Sequence, residues 1–282
     1  ELNAVDDKLF NEITDAQQNQ VSDAVENKIT KTDIEIFIKH GEHLIENEKT
    51  ALQKEEDIKF GKQKSTSIKS KMPESIKNNA ELLDKKLANI RVCDPAVGSG
   101  AFPVGMMLEI VKARNVLTNY FSEREERTPY NFKRHCIENC LYGVDIDSSA
   151  IDIAKLRFWL SLVVDEEDIT KIKPLPNLDY KLVCGNSLLS VERDLFNDQL
   201  FNQLEELKPK YFNETDTNKK LELKKQIDEL IKQITNNDEH FDFEIYFSEV
   251  FHEKKGFDVV IGNPPYIDSE SMVRQGQSDF RD

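Results

Sequence analysis

Asn263, Pro264, Pro265 and Tyr266 place an amide, two backbone-fixing rings and an aromatic face directly after the apolar run Val259-Val260-Ile261. The prolines lock φ and remove two N–H donors. Acceptors remain: backbone carbonyls and the Asn263 amide oxygen, with the Tyr266 ring beside them. Such a set suits a flat group that carries an amino substituent. Its two hydrogens need two acceptors, and its ring needs a surface to stack on. The competing reading is a strand that ends in a plain Pro-Pro turn.

Two further stretches carry polar residues at apolar strand ends. In the first, Ile90-Arg91-Val92-Cys93 runs into Asp94-Pro95-Ala96-Val97-Gly98-Ser99-Gly100-Ala101-Phe102. Gly98 and Gly100 permit a tight turn and let a ligand approach without a Cβ in the way. The Gly-Lys-Ser/Thr of a phosphate loop is missing. In the second, Leu141-Tyr142-Gly143-Val144 ends at Asp145-Ile146-Asp147. An acid at such a place takes ribose hydroxyls in dinucleotide folds, roughly 20 residues after the glycine fingerprint. Here the separation is much longer, and residues 113–140 read as an insertion. A third strand within Leu178–Leu188 ends at Asn186, an acceptor or a local turn residue.

The elements that position these residues follow from pattern. Apolar Leu9, Ile13, Val21, Val25 and Ile29 recur near helical spacing. Thr32 and Glu35 predict a capping box before Ile34, Phe37, Ile38, Leu44 and Ile45. Lys62–Ser70 reads as a loop. Pro73 opens a helix with Ile76, Ala80, Leu83 and Leu87 on one face. Pro103 starts the helix after the glycine turn. A helix over Ser149–Val164 follows, with Asp147 near its cap and Phe158, Trp159 and Leu162 in the core. Residues 191–240 read as a solvated helical hairpin with the stripe Leu223, Ile227, Leu230, Ile234. Phe241, Phe243, Ile245 and Phe247 alternate like a strand. Val259–Ile261 reads as a strand covered on both faces, and Asp268–Asp282 as a mobile tail. The fold class is α/β, with strand ends of the kind that bind ligands in open sheets, after a helical region over 1–70; the resemblance given below implies a Rossmann-like sheet that is incomplete in this chain.

Composition narrows the function. The chain has 282 residues, 38 basic and 53 acidic, and a net charge of −15. Phosphate grip needs Lys and Arg, so a main nucleic-acid surface is not expected here, although a pocket for a single base is compatible. No apolar run spans a bilayer, no signal peptide is visible, and the first residue is Glu1, which points to a piece of a longer chain. Cys93, Cys136, Cys140 and Cys184 form no C-x-x-C pair, which predicts a reduced, cytoplasmic protein. Cys93 and Cys184 fall on expected buried strands. His135, Cys136 and Cys140 lack zinc spacing, so no metal is expected. His40 and His43 share a helical face without chemistry. Asp57 and Lys59 are too isolated to suggest a nuclease site.

Asn263-Pro264-Pro265-Tyr266 resembles the catalytic motif of S-adenosylmethionine-dependent amino-methyltransferases. With its flanks, the chain is similar to gamma-group DNA adenine-N6 methyltransferases. It resembles most the methylase part of type IIG, Eco57I-like restriction–modification enzymes over about residues 71–267. The loop Asp-Pro-x-x-Gly-Ser-Gly-x-Phe at 94–102 is similar to the family's S-adenosylmethionine loop. The resemblance implies cofactor contacts from Asp94, Pro95, Ala96, Gly98, Ser99 and Gly100. It gives the ribose to Asp145 and the adenine face to Ile146. Asn186 stands where the family often has an Asp, and Lys71-Met72-Pro73-Glu74 has the Pro but not the Thr of an outer cofactor contact. The family's sheet has seven strands in the order 3-2-1-4-5-7-6, of which this chain holds four. The methylase portion would run over 71–282.

The implied reaction is methyl transfer to adenine N6 in double-stranded DNA, gripped mostly by regions outside this chain. Alternatives are a cytosine-N4 enzyme, a release-factor glutamine methyltransferase, and a fragment that binds cofactor or partner without catalysis.

Overall fold

Four short parallel strands stand side by side in the order β3-β2-β1-β4: β1 Val92–Asp94, β2 Leu141–Asp145, β3 Leu182–Cys184 and β4 Val259–Val260. The computed structural model describes residues 28–59, 71–164, 178–188, 198–214, 216–234 and 241–263. The apolar repeat of 1–27, the Lys62–Ser70 loop, Pro264, Pro265, Tyr266 and the tail lie outside the described residues. The strand order matches the incomplete Rossmann-like sheet expected from the sequence.

The pleat sends alternate residues to two layers. Val92, Leu141, Leu182 and Val259 join a core on the helical side. That side holds α1 (Lys31–Lys59), α2 (Glu74–Asn78), α3 (Ala80–Asn89), α4 (Ala101–Thr118), α5 (Pro129–His135), a π-turn over Cys136–Cys140, and α6 (Ser148–Val163). Cys93, Tyr142, Val144 and Val183 face a second cluster with Phe241, Phe247 and Val250. Helix α1 packs on α4, so residues from Ile29 to Ile45 share the core of the sheet. Helices α7 (Asp198–Asn213) and α8 (Thr217–Ile234) form the expected hairpin. Leu204, Tyr211, Ile227 and Ile234 bury its inner face with Tyr180 and Ile245.

Several expectations are corrected. The alternating stretch Phe241–Phe247 is not a strand. It makes the helical turn α9 (Phe243–Tyr246), followed by α10 (Ser248–Lys254). Asp242 is an N-cap whose carboxylate accepts from Glu244 and Ile245 N–H at 2.8 and 3.2 Å, and the phenyl rings pack edge-to-face around Phe241 and Phe247 rather than along a ladder. Trp159 is not core: it lies on the outer side of α6, 40% exposed, while Phe158 and Leu162 are buried.

Val260 pairs with Cys93 and so points toward the aromatic layer, but it is not among the residues of that cluster and is 65% exposed. Within the described residues β4 is therefore covered on one face. Cys184 ends its strand exposed, unlike buried Cys93. The capping box at α1 uses Thr30 and Asp33, two residues earlier than Thr32 and Glu35.

Candidate active site

All four strand ends point the same way, and the residues singled out from the sequence gather along that edge. Asp94 closes β1 and is 1% exposed. Its Oδ1 accepts from the Ala96 N–H at 3.0 Å. Its Oδ2 is buried without a hydrogen-bond partner among the described residues. Burial, with the charge of Asp145 adding to it, raises the carboxyl to about 6 against the pull of the Ala96 N–H. A buried acceptor left unmatched costs stability, so this oxygen waits for a donor.

The loop after Asp94 is shaped by its glycines. Gly98 has φ 50° and Gly100 φ 78°, left-handed values that favour glycine. A Cβ on Gly98 would meet nothing within 4 Å, whereas one on Gly100 would sit 3.1 Å from Ala154 Cβ of α6. The first glycine leaves the loop open to a ligand; the second lets the start of α4 lie against α6. Pro95, Ala96, Gly98 and Ser99 are all partly exposed around this opening.

At the end of β2, Asp145 accepts from the Gly98 N–H through Oδ2 at 2.7 Å and from the Asp147 N–H through Oδ1 at 3.0 Å. A carboxylate has about four acceptor positions, so two lone pairs remain. Ile146 follows, 74% exposed, a large aliphatic surface presented at the strand edge. Asp147 caps α6 as expected, accepting from the Ser149 N–H at 2.9 Å. Asn186, beyond β3, uses Oδ1 to accept from the Leu188 N–H at 3.0 Å, a local turn. Its second lone pair stays available.

The Ile261 N–H donates to the Cys93 carbonyl at 2.9 Å, which carries the chain from β4 past the end of β1. Gly262 then passes directly over the Asp94 carboxylate, and Asn263 follows, exposed. The structure thus brings Asp94, Gly98, Asp145 and Asn263 to one edge. Pro264, Pro265 and Tyr266 lie outside the described residues.

That corner and β2 fall within residues 139–281, just over half of the chain, which match the sequence profile described as Eco57I restriction-modification methylase. The chain belongs to the Eco57I restriction-modification methylase family. Over 108 residues it is 44% identical to the putative type II restriction enzyme and methyltransferase RM.MjaORFECS2P of Methanocaldococcus jannaschii, covering 37% of this chain and 9% of that relative. Over 210 residues it is 26% identical to the type II restriction enzyme and methyltransferase RM.Eco57I of Escherichia coli, covering 70% of this chain and 16% of that one. The chain therefore spans a minor part of either relative.

Other features of this family member surround the strand edge. A cavity of about 410 Å³ runs beside α4, lined by Ile38, Leu87, Phe102, Met106, Ile110 and Ile261 among others. None of the site residues named from the sequence lines it, and Glu109 is its single charged group. His135 Nε2 lies 2.9 Å from the Ala88 carbonyl, to which the Cys140 thiol also donates. Among the described residues no His, Cys, Asp or Glu cluster has the makings of a metal site. No helix among them is long and apolar enough to cross a membrane.

Proposed function

We propose that the protein transfers a methyl group from S-adenosylmethionine to the N6 amino group of adenine in double-stranded DNA, within a restriction–modification system. The observation that carries this reading is the passage of the Gly262-Asn263 corner over the unmatched Asp94 carboxylate. On this reading the Asn263 amide, one residue on, serves the amino acceptor, and the buried Asp94 carboxylate serves the cationic donor. The names of the two relatives, restriction enzyme and methyltransferase, support the same reaction class.

The residues fit the donor. Asp94 Oδ2 needs a hydrogen-bond donor, Gly98 leaves its loop unblocked, and Ile146 offers an exposed apolar face. S-adenosylmethionine supplies, when bound, an electrophilic methyl group on a cationic sulfur. Asp94 would accept from the α-ammonium, and of the loop amides the Ser99 N–H would face the carboxylate, because the Gly98 and Gly100 N–H groups donate to Asp145 Oδ2 and the Val97 carbonyl. Asp145 would take the ribose hydroxyls on its two remaining lone pairs. Ile146 would pack on the adenine ring and Asn186 would accept from its amino group.

On the acceptor side, adenine N6 is a poor nucleophile because its lone pair is delocalised into the ring. The Asn263 amide oxygen and the Pro264 carbonyl would accept its two hydrogens and draw the nitrogen toward tetrahedral geometry. Pro265 would stiffen the corner, and Tyr266 would stack on the base flipped out of the duplex. Orientation and preorganised polarity supply the rate gain. No covalent intermediate is required, and no proline precedes a cysteine in the chain. With a net charge of −15, this chain leaves most phosphate contacts to other polypeptide.

The uncovered face of Val260 favours a second reading, a cofactor-binding unit that transfers methyl only with further polypeptide packed on that face. Labelled methyl transfer to duplex DNA by the intact protein and its Asn263→Ala variant tests the proposal. Transfer should fall by about 10²–10³, the scale of losing one preorganised polar group, while S-adenosylmethionine still binds. Undiminished transfer by the variant overturns the proposal. Binding without transfer in the unmutated protein selects the second reading.

A further inference from the structure

We infer that Gly262 is a positioning residue for both halves of the site: its missing side chain lets the corner bearing Asn263 close onto Asp94, fixing the spacing between donor and acceptor. The inference rests on the reaction proposed above and adds a residue to it.

The need for glycine here is spatial. Gly262 does not adopt a left-handed φ, unlike Gly98, Gly100 and Gly256. Alanine is therefore allowed by the backbone, and by itself would restrict the unfolded chain in favour of folding. What an added Cβ meets is the site: Asp94 Oδ1 at 3.0 Å, then Pro95 Cδ at 3.5 Å and Cγ at 3.8 Å. Such a contact to Oδ1 is too close to be comfortable, so one partner must retreat.

Neither partner can retreat without loss. Oδ1 is the oxygen that accepts from the Ala96 N–H, and the carboxylate it belongs to is buried. The corner is tied one residue earlier by the Ile261 N–H to the Cys93 carbonyl, and that carbonyl belongs to the residue just before Asp94. A methyl group at 262 makes either the Asp94 carboxylate or the corner bearing Asn263 give by a few tenths of an ångström. The first displaces the group for the donor and the second displaces the amide for the acceptor. Two stretches about 170 residues apart in the chain thus meet through one backbone position.

The experiment compares the intact protein with Gly262→Ala and, as a control, Gly105→Ala, a helical site where a Cβ meets nothing within 4 Å. Calorimetry with S-adenosylmethionine across pH, labelled methyl transfer and thermal melting are read for each. For Gly262→Ala the dissociation constant or the KM for S-adenosylmethionine rises about ten-fold or more, the scale of a charge-assisted hydrogen bond, or kcat falls by as much. The pH midpoint of binding also shifts, because a turned Asp94 leaves its buried setting. The melting temperature stays near that of the parent, and Gly105→Ala leaves binding and transfer unchanged. Unchanged binding, pH midpoint and kcat in Gly262→Ala overturn the inference, as does a loss explained wholly by a lower melting temperature. If the unmutated protein fails to bind S-adenosylmethionine, the reaction proposed above fails first, and the two failures are told apart.

Discussion

The Gly98 N–H donates to Asp145 Oδ2 over 2.7 Å, so the acid that ends β2 holds the glycine turn that follows β1. On the proposed reading Asp145 has a second task beyond shaping the loop, which is to take the ribose hydroxyls. Asp145→Ala removes both, and the dissociation constant for S-adenosylmethionine should rise about ten- to hundred-fold, the range for hydrogen bonds to charged groups. Asp145→Asn keeps one acceptor for either the Gly98 or the Asp147 N–H and should fall between the two. Calorimetry of the three proteins checks the order.

Asp94 gives the site a pH dependence whose sign can be worked out. Burial, then the charge of Asp145, lifts its carboxyl from the ordinary 3.8 to about 6, with the Ala96 N–H pulling the other way. Between those values the folded chain holds a proton that the unfolded chain has released. Ligand-free stability from this group is thus present at low pH and is lost as pH rises through about 6. Pairing with an α-ammonium needs the ionised form, so affinity moves the opposite way and rises through the same window, by up to about ten-fold per pH unit below it. Binding isotherms and thermal melts from acidic to neutral pH should show these opposed trends. Asp94→Asn should flatten both.

The strand ends that make up the candidate site were more legible than their surroundings, for a physical reason. Polar residues at strand ends cannot be explained by packing, so Asp94, Asp145 and Asn263 stood out against apolar runs. The sheet order came from the family resemblance, whose 3-2-1-4 segment the four strands reproduce. Phe241–Phe247 misled because four alternating apolar residues fit a strand or a helical turn, and only Asp242 as an N-cap separates the two. Trp159 misled because apolar residues fall on every side of α6, with Ile153, Leu156 and Leu160 exposed as well, so its sequence alone does not say which side faces the sheet. Gly262 was visible as a glycine at a strand end, but its contact with Asp94 is long-range and no local pattern encodes it.

Lys208 of the hairpin is fully buried and reaches the sheet layer. Its Nζ donates to the Ile245 and Tyr246 carbonyls at 3.1 and 2.5 Å, to Ser248 Oγ at 3.1 Å and to Glu249 at 3.3 Å. Glu249 in turn lies 3.6 Å from Lys181, whose Nζ donates to the Tyr142 hydroxyl of β2. Burial pulls both lysines below their ordinary values, and the two cations outweigh burial to hold Glu249 below its own. This chain of charges links α7 through α10 to β2. Lys208→Ala strands two carbonyls and weakens the pairing of a buried carboxylate, so it should cost about 3–5 kcal/mol. Lys208→Met with Glu249→Gln removes this pair and should recover part of that loss, because a buried pair contributes little beyond its own desolvation cost; the recovery stops short of full because Lys181 then loses its Glu249 counter-charge. Denaturant unfolding of the single and double variants measures the difference. Proteolysis of the native state reads whether the hairpin opens before the sheet. Equal losses in the two variants would mean that the linkage between hairpin and sheet rests on the apolar contacts of Tyr180, Leu204 and Ile245 rather than on charge.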